Sequence, residues 1–314
     1  MSVNGVYGLM VLTAVFWSGA FITGKLAVRE FPAFALTFFR FLFALPFIFA
    51  ILYQRQPESW LPRKQDWKPL ILLGAGGTFL YHALFFSCLQ YTTAINSSLI
   101  GSTNPMVTAV LAVFLLQEKM SLLRILGTAL SLFGVILTVT HGEWAVLAQL
   151  QFNFGDLLMF AAVCSWAGYS LYSRRVMQQY RLSPLMLTAY TFLICTLISI
   201  PFVLWENPAS YLQQATVGGW LSILYMALFA SVLGYLFHFI AIQKIGAPKA
   251  AIFINLVPVF TIVQSVFILG EPFDWLKLVS ALIIISGVYL TTRPEPEPVQ
   301  RSHQTKPDQT LGDS

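Results

Sequence analysis

The stretch Gly134-Val135-Ile136-Leu137-Thr138 returns as Gly287-Val288-Tyr289-Leu290-Thr291. Working back at the same offset, Glu118 meets Glu271, Pro105 meets Pro258 and Gln90 meets Gln243, so residues 80–138 align with 233–291. The front ends match more loosely, with Trp17 against Trp166 and Lys25 against Arg174 at a slightly shorter offset. Each copy holds five apolar stretches of about 20 residues, the length that crosses a bilayer as helix. Five is odd, so the second copy enters from the opposite side and lies upside-down. Inverted repeats are the architecture of secondary transporters.

Composition agrees with a chain that lives in lipid. Hydrophobic residues make up 57% and charged residues 10%, with a mean hydropathy of +0.72. A soluble domain carries about a quarter charged residues. Apolar stretches fall near 6–27, 33–53, 69–89, 95–117, 121–141, 155–175, 184–205, 217–241, 248–269 and 273–292. They are continuous rather than alternating, which excludes a transmembrane β-barrel. The expected fold is an all-α integral membrane protein of ten transmembrane helices in two inverted five-helix repeats. Residues 1–141 form the first repeat, 142–154 an extracytoplasmic connection, 155–292 the second repeat and 293–314 a disordered cytoplasmic tail.

The net charge of +5 belongs to topology. With a cytoplasmic N-terminus, the inner loops hold Arg55, Arg63, Lys64, Lys68, Lys119, Arg124, Arg174, Arg175, Arg181, Lys244 and Lys249, and the tail adds Arg293, Arg301 and Lys306. The outer side holds only Lys25, Arg29 and Lys277. That bias orients helices, so both termini are expected in the cytoplasm of a bacterial-type inner membrane, and no nucleic-acid partner is implied. Residues 54–69 read as the longest inner loop, anchored at the headgroups by Trp60 and Trp67. The first span lacks the basic flank of a signal peptide and belongs to the repeated unit, so it is expected to be retained. Cys88, Cys164 and Cys195 stand singly in apolar runs, without disulfide or metal spacing.

The run Ala14-Val15-Phe16-Trp17-Ser18-Gly19-Ala20-Phe21 followed by Lys25, then Arg40, then Ala94 through Pro105 to Glu118, Gly127 and Gly134, resembles EamA-type members of the drug/metabolite transporter superfamily. The likeness extends over roughly residues 6–292. It implies a ten-helix bundle around a central cavity and export or exchange of small metabolites, amino acids and their derivatives among them. One departure is Ser18, where that family usually carries glycine; a small residue is kept.

Candidate substrate-binding residues follow from polarity inside lipid, where a polar side chain must face protein or a wet cavity. In span four, Ser97, Gly101, Asn104 and Thr108 share a helical face, and Pro105 leaves the Gly101 carbonyl without its N–H partner. The same face of the second copy reads Ala250, Ile254, Val257 and Thr261, mostly apolar, which favours a cavity over a shared structural seam. Arg40 lies about 10 Å below the outer surface at about 1.5 Å per residue. It either meets a substrate anion or pins a neighbouring helix. His82 and His238 are the histidines within spans, each a proton carrier or a packing residue. Tyr81, Tyr235, Tyr169 and Tyr172 offer an aromatic face with a polar tip, and Tyr81 and Tyr169 are taken as the candidates among them. Trp17 and Trp166 are either cavity walls or packing between repeats. Lys25 and Arg174 read as snorkelling or gate residues, and Glu118 and Glu271 as loop or cap residues.

No acidic residue falls mid-span and no P-loop occurs, so neither a carboxylate relay nor primary pumping has a candidate. The expected function is therefore non-enzymatic: a secondary carrier of a small metabolite such as an amino acid or derivative, working by alternating access, with no cofactor. Its partners are a small-molecule substrate and the lipid bilayer, and a homodimer is one arrangement left open. The alternative is an integral-membrane enzyme acting on a lipid-like substrate, which needs a catalytic cluster; His82, His141, His238 and His303 are scattered without one. A channel would show a charged or carbonyl-rich filter, and none stands out.

Overall fold

A computed structural model of the protein describes residues 2–116, 121–143, 145, 153–245 and 253–292. Glu118, Lys119, Lys249, Ala250, most of the connection between halves and the tail from residue 293 lie outside it. The first repeat comprises α1 (Asn4–Ala27), α2 (Ala33–Arg55), α3 (Lys64–Tyr91), α4 (Ala94–Leu115) and α5 (Leu122–Thr140). The second comprises α6 (Phe154–Tyr180), α7 (Pro184–Trp205), α8 (Val217–Ala241), α9 (Val257–Leu269) and α10 (Trp275–Thr291). The first eight are long and apolar enough to cross a membrane, and α9 and α10 are shorter apolar helices. Among the described residues there is no strand.

Short polar side chains set the boundaries. Thr93, Asn153, Ser183 and Thr216 each accept a first-turn N–H, at 3.0, 2.7, 3.1 and 3.2 Å, and so start α4, α6, α7 and α8. α5 and α6 stop on the left-handed residues His141 (φ 52°) and Arg181 (φ 54°). The loop after α2 is shorter than the 54–69 expected from sequence. A helical turn already begins at Lys64–Asp66, because Asp66 accepts from the Arg63 backbone and pairs with its guanidinium at 3.0 Å.

Inversion is visible where equivalent helices touch. Gln56, just past the end of α2, accepts from Ser183 at the start of α7 (2.8 Å). Glu206, just past the end of α7, accepts from the backbone N–H groups of Phe34 and Ala35 at the start of α2 (3.0 and 2.8 Å). The two helices therefore run antiparallel. A carboxylate at a helix N-terminus is favourable; burial pushes the Glu206 carboxyl up, and the two N–H bonds hold it down. α5 and α10 are antiparallel as well, since Gly127 lies against Gly287 and Thr291 while Gly134, further along α5, lies against Ile284. A Cβ at Gly127 would fall 2.7 Å from the Gly287 carbonyl oxygen and 2.6 Å from the Thr291 nitrogen. Small residues bring these two backbones together, as membrane helices without a hydrophobic drive require.

Packing respects an exchange of the two halves. α1 packs on α8 and α9, and its counterpart α6 packs on α3 and α4; α2 meets α8 as α7 meets α3. Local irregularities are paired too. Wide π-helical turns occur at Gly74–Phe79 in α3 and at the equivalent Met226–Leu233 in α8. Side chains of the opposite repeat cover carbonyls there: Ser165 donates to Gly76 (2.6 Å) and Trp17 Nε1 to Ala230 (3.0 Å). α4 is interrupted at Ser102–Thr103, and the approach to α9 at the equivalent Asn255–Leu256. Span nine is thus not the continuous helix expected over 248–269.

Several side chains grip the α3–α4 connection. Lys25 donates to the Leu89 and Thr92 carbonyls at 2.5 and 2.7 Å, capping the end of α3 rather than snorkelling. Its counterpart Arg174 is exposed. Glu271 accepts from Ala94 and Ile95 N–H groups at 2.9 and 3.3 Å, capping α4. Replacing a capping side chain by alanine costs about 0.5–2 kcal/mol. Glu271→Ala is therefore expected to lower the thermal midpoint of the detergent-purified protein, and an unchanged midpoint would deny the cap any weight. Facing outward, Phe267 and Phe114 are 83% and 75% exposed, an apolar surface that only lipid covers without penalty.

Candidate functional site

A cavity of about 220 Å³ opens where the two repeats meet, and both helix breaks reach it. From α4 it takes Ser98, Gly101, Ser102, Asn104 and Pro105; from the approach to α9 and its first turn, Ile254, Asn255, Val257 and Pro258. Each proline follows an interrupted turn at the same place in its repeat, so chain direction changes at the cavity from both sides. The remaining wall is aromatic, with Trp17 and Phe21 of α1, Tyr81 and Phe85 of α3, Trp166 of α6 and Tyr235 of α8. Tyr81 lies against Trp166, ring centroids 4.9 Å apart.

Arg40 is the charged group of this wall. It is only 5% exposed. Its Nε donates to Ser231 of α8 at 2.9 Å, within the π-helical turn. The guanidinium carbon stands 5.6 Å from the Phe41 ring centre and 6.0 Å from that of Phe86. Among the described residues the ion pair is Arg63–Asp66, so no carboxylate answers Arg40. Beside it, His82 Nδ1 contacts the Thr78 carbonyl at 2.7 Å. A carbonyl only accepts, so Nδ1 carries the proton and Nε2 is left as an acceptor.

Of the residues singled out by sequence, Arg40, Tyr81, His82, Gly101 and Asn104 line the cavity. Thr108 stands one turn behind, its hydroxyl donating to the Asn104 amide oxygen at 3.2 Å. Tyr169 is stacked behind Trp166, ring centroids 4.9 Å apart, and fills the space left by Gly77. Ser97 points elsewhere: its hydroxyl donates to the Thr93 carbonyl (3.0 Å) near Cys88. His238 packs on Trp17 at 5.4 Å and is not part of the lining. Both tryptophans are walls.

Asn255 was missed, and Tyr235 was noted as a polar-tipped aromatic without being taken as a candidate; both line the cavity. The break at Asn255–Leu256 brings Asn255 to the cavity beside Ile254 and Val257, two residues of the face that reads apolar in the second copy. The signal was present, because Asn255 occupies the place of Ser102 in the repeat. Among the described residues no cluster of His, Cys, Asp or Glu is suited to a metal ion. The site offers hydrogen-bond donors and one positive charge inside a ring-lined chamber.

The description "EamA-like transporter family" matches residues 5–140 and 153–293, one segment per repeat. The chain is 32% identical over 283 residues to an "Uncharacterized transporter YyaM" of Bacillus subtilis (strain 168), covering 90% of this chain and 92% of that one. It is 26% identical over 291 residues to a "Probable amino-acid metabolite efflux pump" of Salmonella typhimurium (strain LT2), covering 90% and 93%. A solved crystal structure superposes with a TM-score of 0.64 at 19% identity, covering 93% of this chain and 97% of that one, and so shares the fold. With a match in each repeat and a relative of this similarity spanning nearly its whole length, the chain belongs to the EamA-like transporter family.

Proposed function

We propose that this multi-pass membrane protein is a secondary carrier, an exporter or exchanger, for a small metabolite such as an amino acid or derivative. Its two inverted five-helix units rock about the cavity they share and expose it to one side at a time. The observation that carries this reading is the pairing of helix breaks, Ser102–Thr103 with Asn255–Leu256, at one cavity between the repeats. Inversion makes the two gates chemically alike, and a break in each gives both a place to bend. The asymmetric distribution of Lys and Arg puts both termini in the cytoplasm of a bacterial inner membrane.

Liposomes bearing the protein are expected to take up or release the substrate down its gradient without ATP. Asn104→Ala removes an amide from the cavity wall while keeping a small helix former there. One lost hydrogen bond to a ligand is worth about 1 kcal/mol, which predicts roughly fivefold weaker binding with the fold intact. Normal flux from the Asn104→Ala and Arg40→Gln proteins alike would remove the site from this cavity.

A further inference from the structure

We infer that the cavity selects a monoanion: a compact, ring-bearing acid with one carboxylate and no free ammonium group, held by Arg40. This rests on the carrier reading above and narrows its substrate from amino acids and derivatives to acids and N-acylated derivatives without a free amine.

A guanidinium buried to 5% exposure needs a counter-charge. Among the described residues Arg40 has none, and its one hydrogen bond uses Nε. The two terminal nitrogens are left over, and that edge matches the two oxygens of a carboxylate. Neighbouring groups are also poised as donors. The Asn104 oxygen is taken by Thr108, so the amide nitrogen is the end without a partner among the described residues. The phenols of Tyr81 and Tyr235 line the same cavity without a hydrogen bond to any described residue.

Nothing comparable awaits an ammonium. Among the described residues no Asp or Glu lines the cavity. The acids near helix ends are not part of the lining: Asp156 accepts from Thr92 through one oxygen, Glu30 accepts from Thr216, and Glu206 and Glu271 cap the starts of α2 and α4. The undescribed stretch 246–252 contains no acidic residue. The Gly101 carbonyl, which Pro105 cannot satisfy, is a neutral acceptor suited to an amide N–H, so an acylated amine is admitted and a charged one is opposed by Arg40. Size sets the rest. A cavity of about 150 Å³ holds a benzene ring; about 220 Å³ leaves room for a ring and a short acidic arm between Trp17 and Trp166.

The test uses the full chain in nanodiscs at neutral pH, titrated with 3-phenylpropionate, N-acetylphenylalanine, phenylalanine and phenethylamine, with flux followed in liposomes against protein-free vesicles. Phenylpropionate and N-acetylphenylalanine are expected to bind, phenylalanine at least about tenfold more weakly and phenethylamine not measurably. Arg40→Gln is expected to weaken carboxylate binding at least about tenfold with the thermal midpoint retained, and Arg40→Lys to restore part of it. Phenylalanine or phenethylamine binding as tightly as phenylpropionate overturns the anion assignment and leaves the carrier reading standing. So does carboxylate binding that survives Arg40→Gln in a folded protein, or binding of none of the four. Carboxylate binding with no flux above protein-free vesicles instead overturns the carrier reading and leaves the site.

Discussion

Gly287→Leu is expected to leave almost no folded protein in the membrane. At this crossing α5 and α10 touch main chain to main chain: a Cβ on Gly287 would lie 2.6 Å from the Gly127 carbonyl oxygen and 2.8 Å from the Ser131 Cα. Neither neighbour is the free end of a side chain, so relief requires the helices to part. Overpacking a close-packed interior typically costs about 1–3 kcal/mol, and more when backbone must move. Total stability is about 5–15 kcal/mol, so a bulky side chain at this point consumes a large share of it. Fluorescence-detected size exclusion of a tagged protein is the measurement. Gly8→Ala serves as control, since a Cβ there meets nothing within 4 Å and alanine favours helix by about 1 kcal/mol over glycine. A monodisperse Gly287→Leu protein at normal yield would show that this contact does not hold the repeats together.

Cysteines placed after equivalent helices are expected to label from opposite sides of the membrane. Ser59 follows α2 and Gln213 follows α7, both are exposed, and their helices run antiparallel. Cys88, Cys164 and Cys195 are free thiols and must first be replaced. In intact cells an impermeant maleimide should then modify Gln213→Cys and spare Ser59→Cys, with the difference vanishing on lysis. This all-or-none outcome tests inversion and orientation together. Labelling of both from outside would contradict the antiparallel pair; labelling of Ser59→Cys alone would keep the inversion and reverse the orientation.

Much of the site was legible because membrane burial makes polarity expensive. Arg40, His82 and Asn104 drew attention as costly side chains in apolar runs, and all three line the cavity. Helical periodicity grouped Ser97 and Thr108 with Asn104, yet Ser97 turns to Thr93 and Thr108 to Asn104. That periodicity assumes a continuous helix, and the turn at Ser102–Thr103 breaks the assumption. Lys25 was read as snorkelling because one sequence cannot show that Leu89 and Thr92 carbonyls end within its reach.

By itself the sequence determined the number of apolar spans, their duplication and the inversion, since these depend on hydropathy and on the parity of five spans. It also determined which residues were too polar to face lipid. Only the tertiary structure decided which of them meet. The cavity is assembled from helices far apart along the chain, and whether a side chain enters it depends on helix breaks, π-helical turns and glycine crossings that rotate one helix against another. Rotations of that kind arise from steric contact between segments, and no local pattern of residues records them.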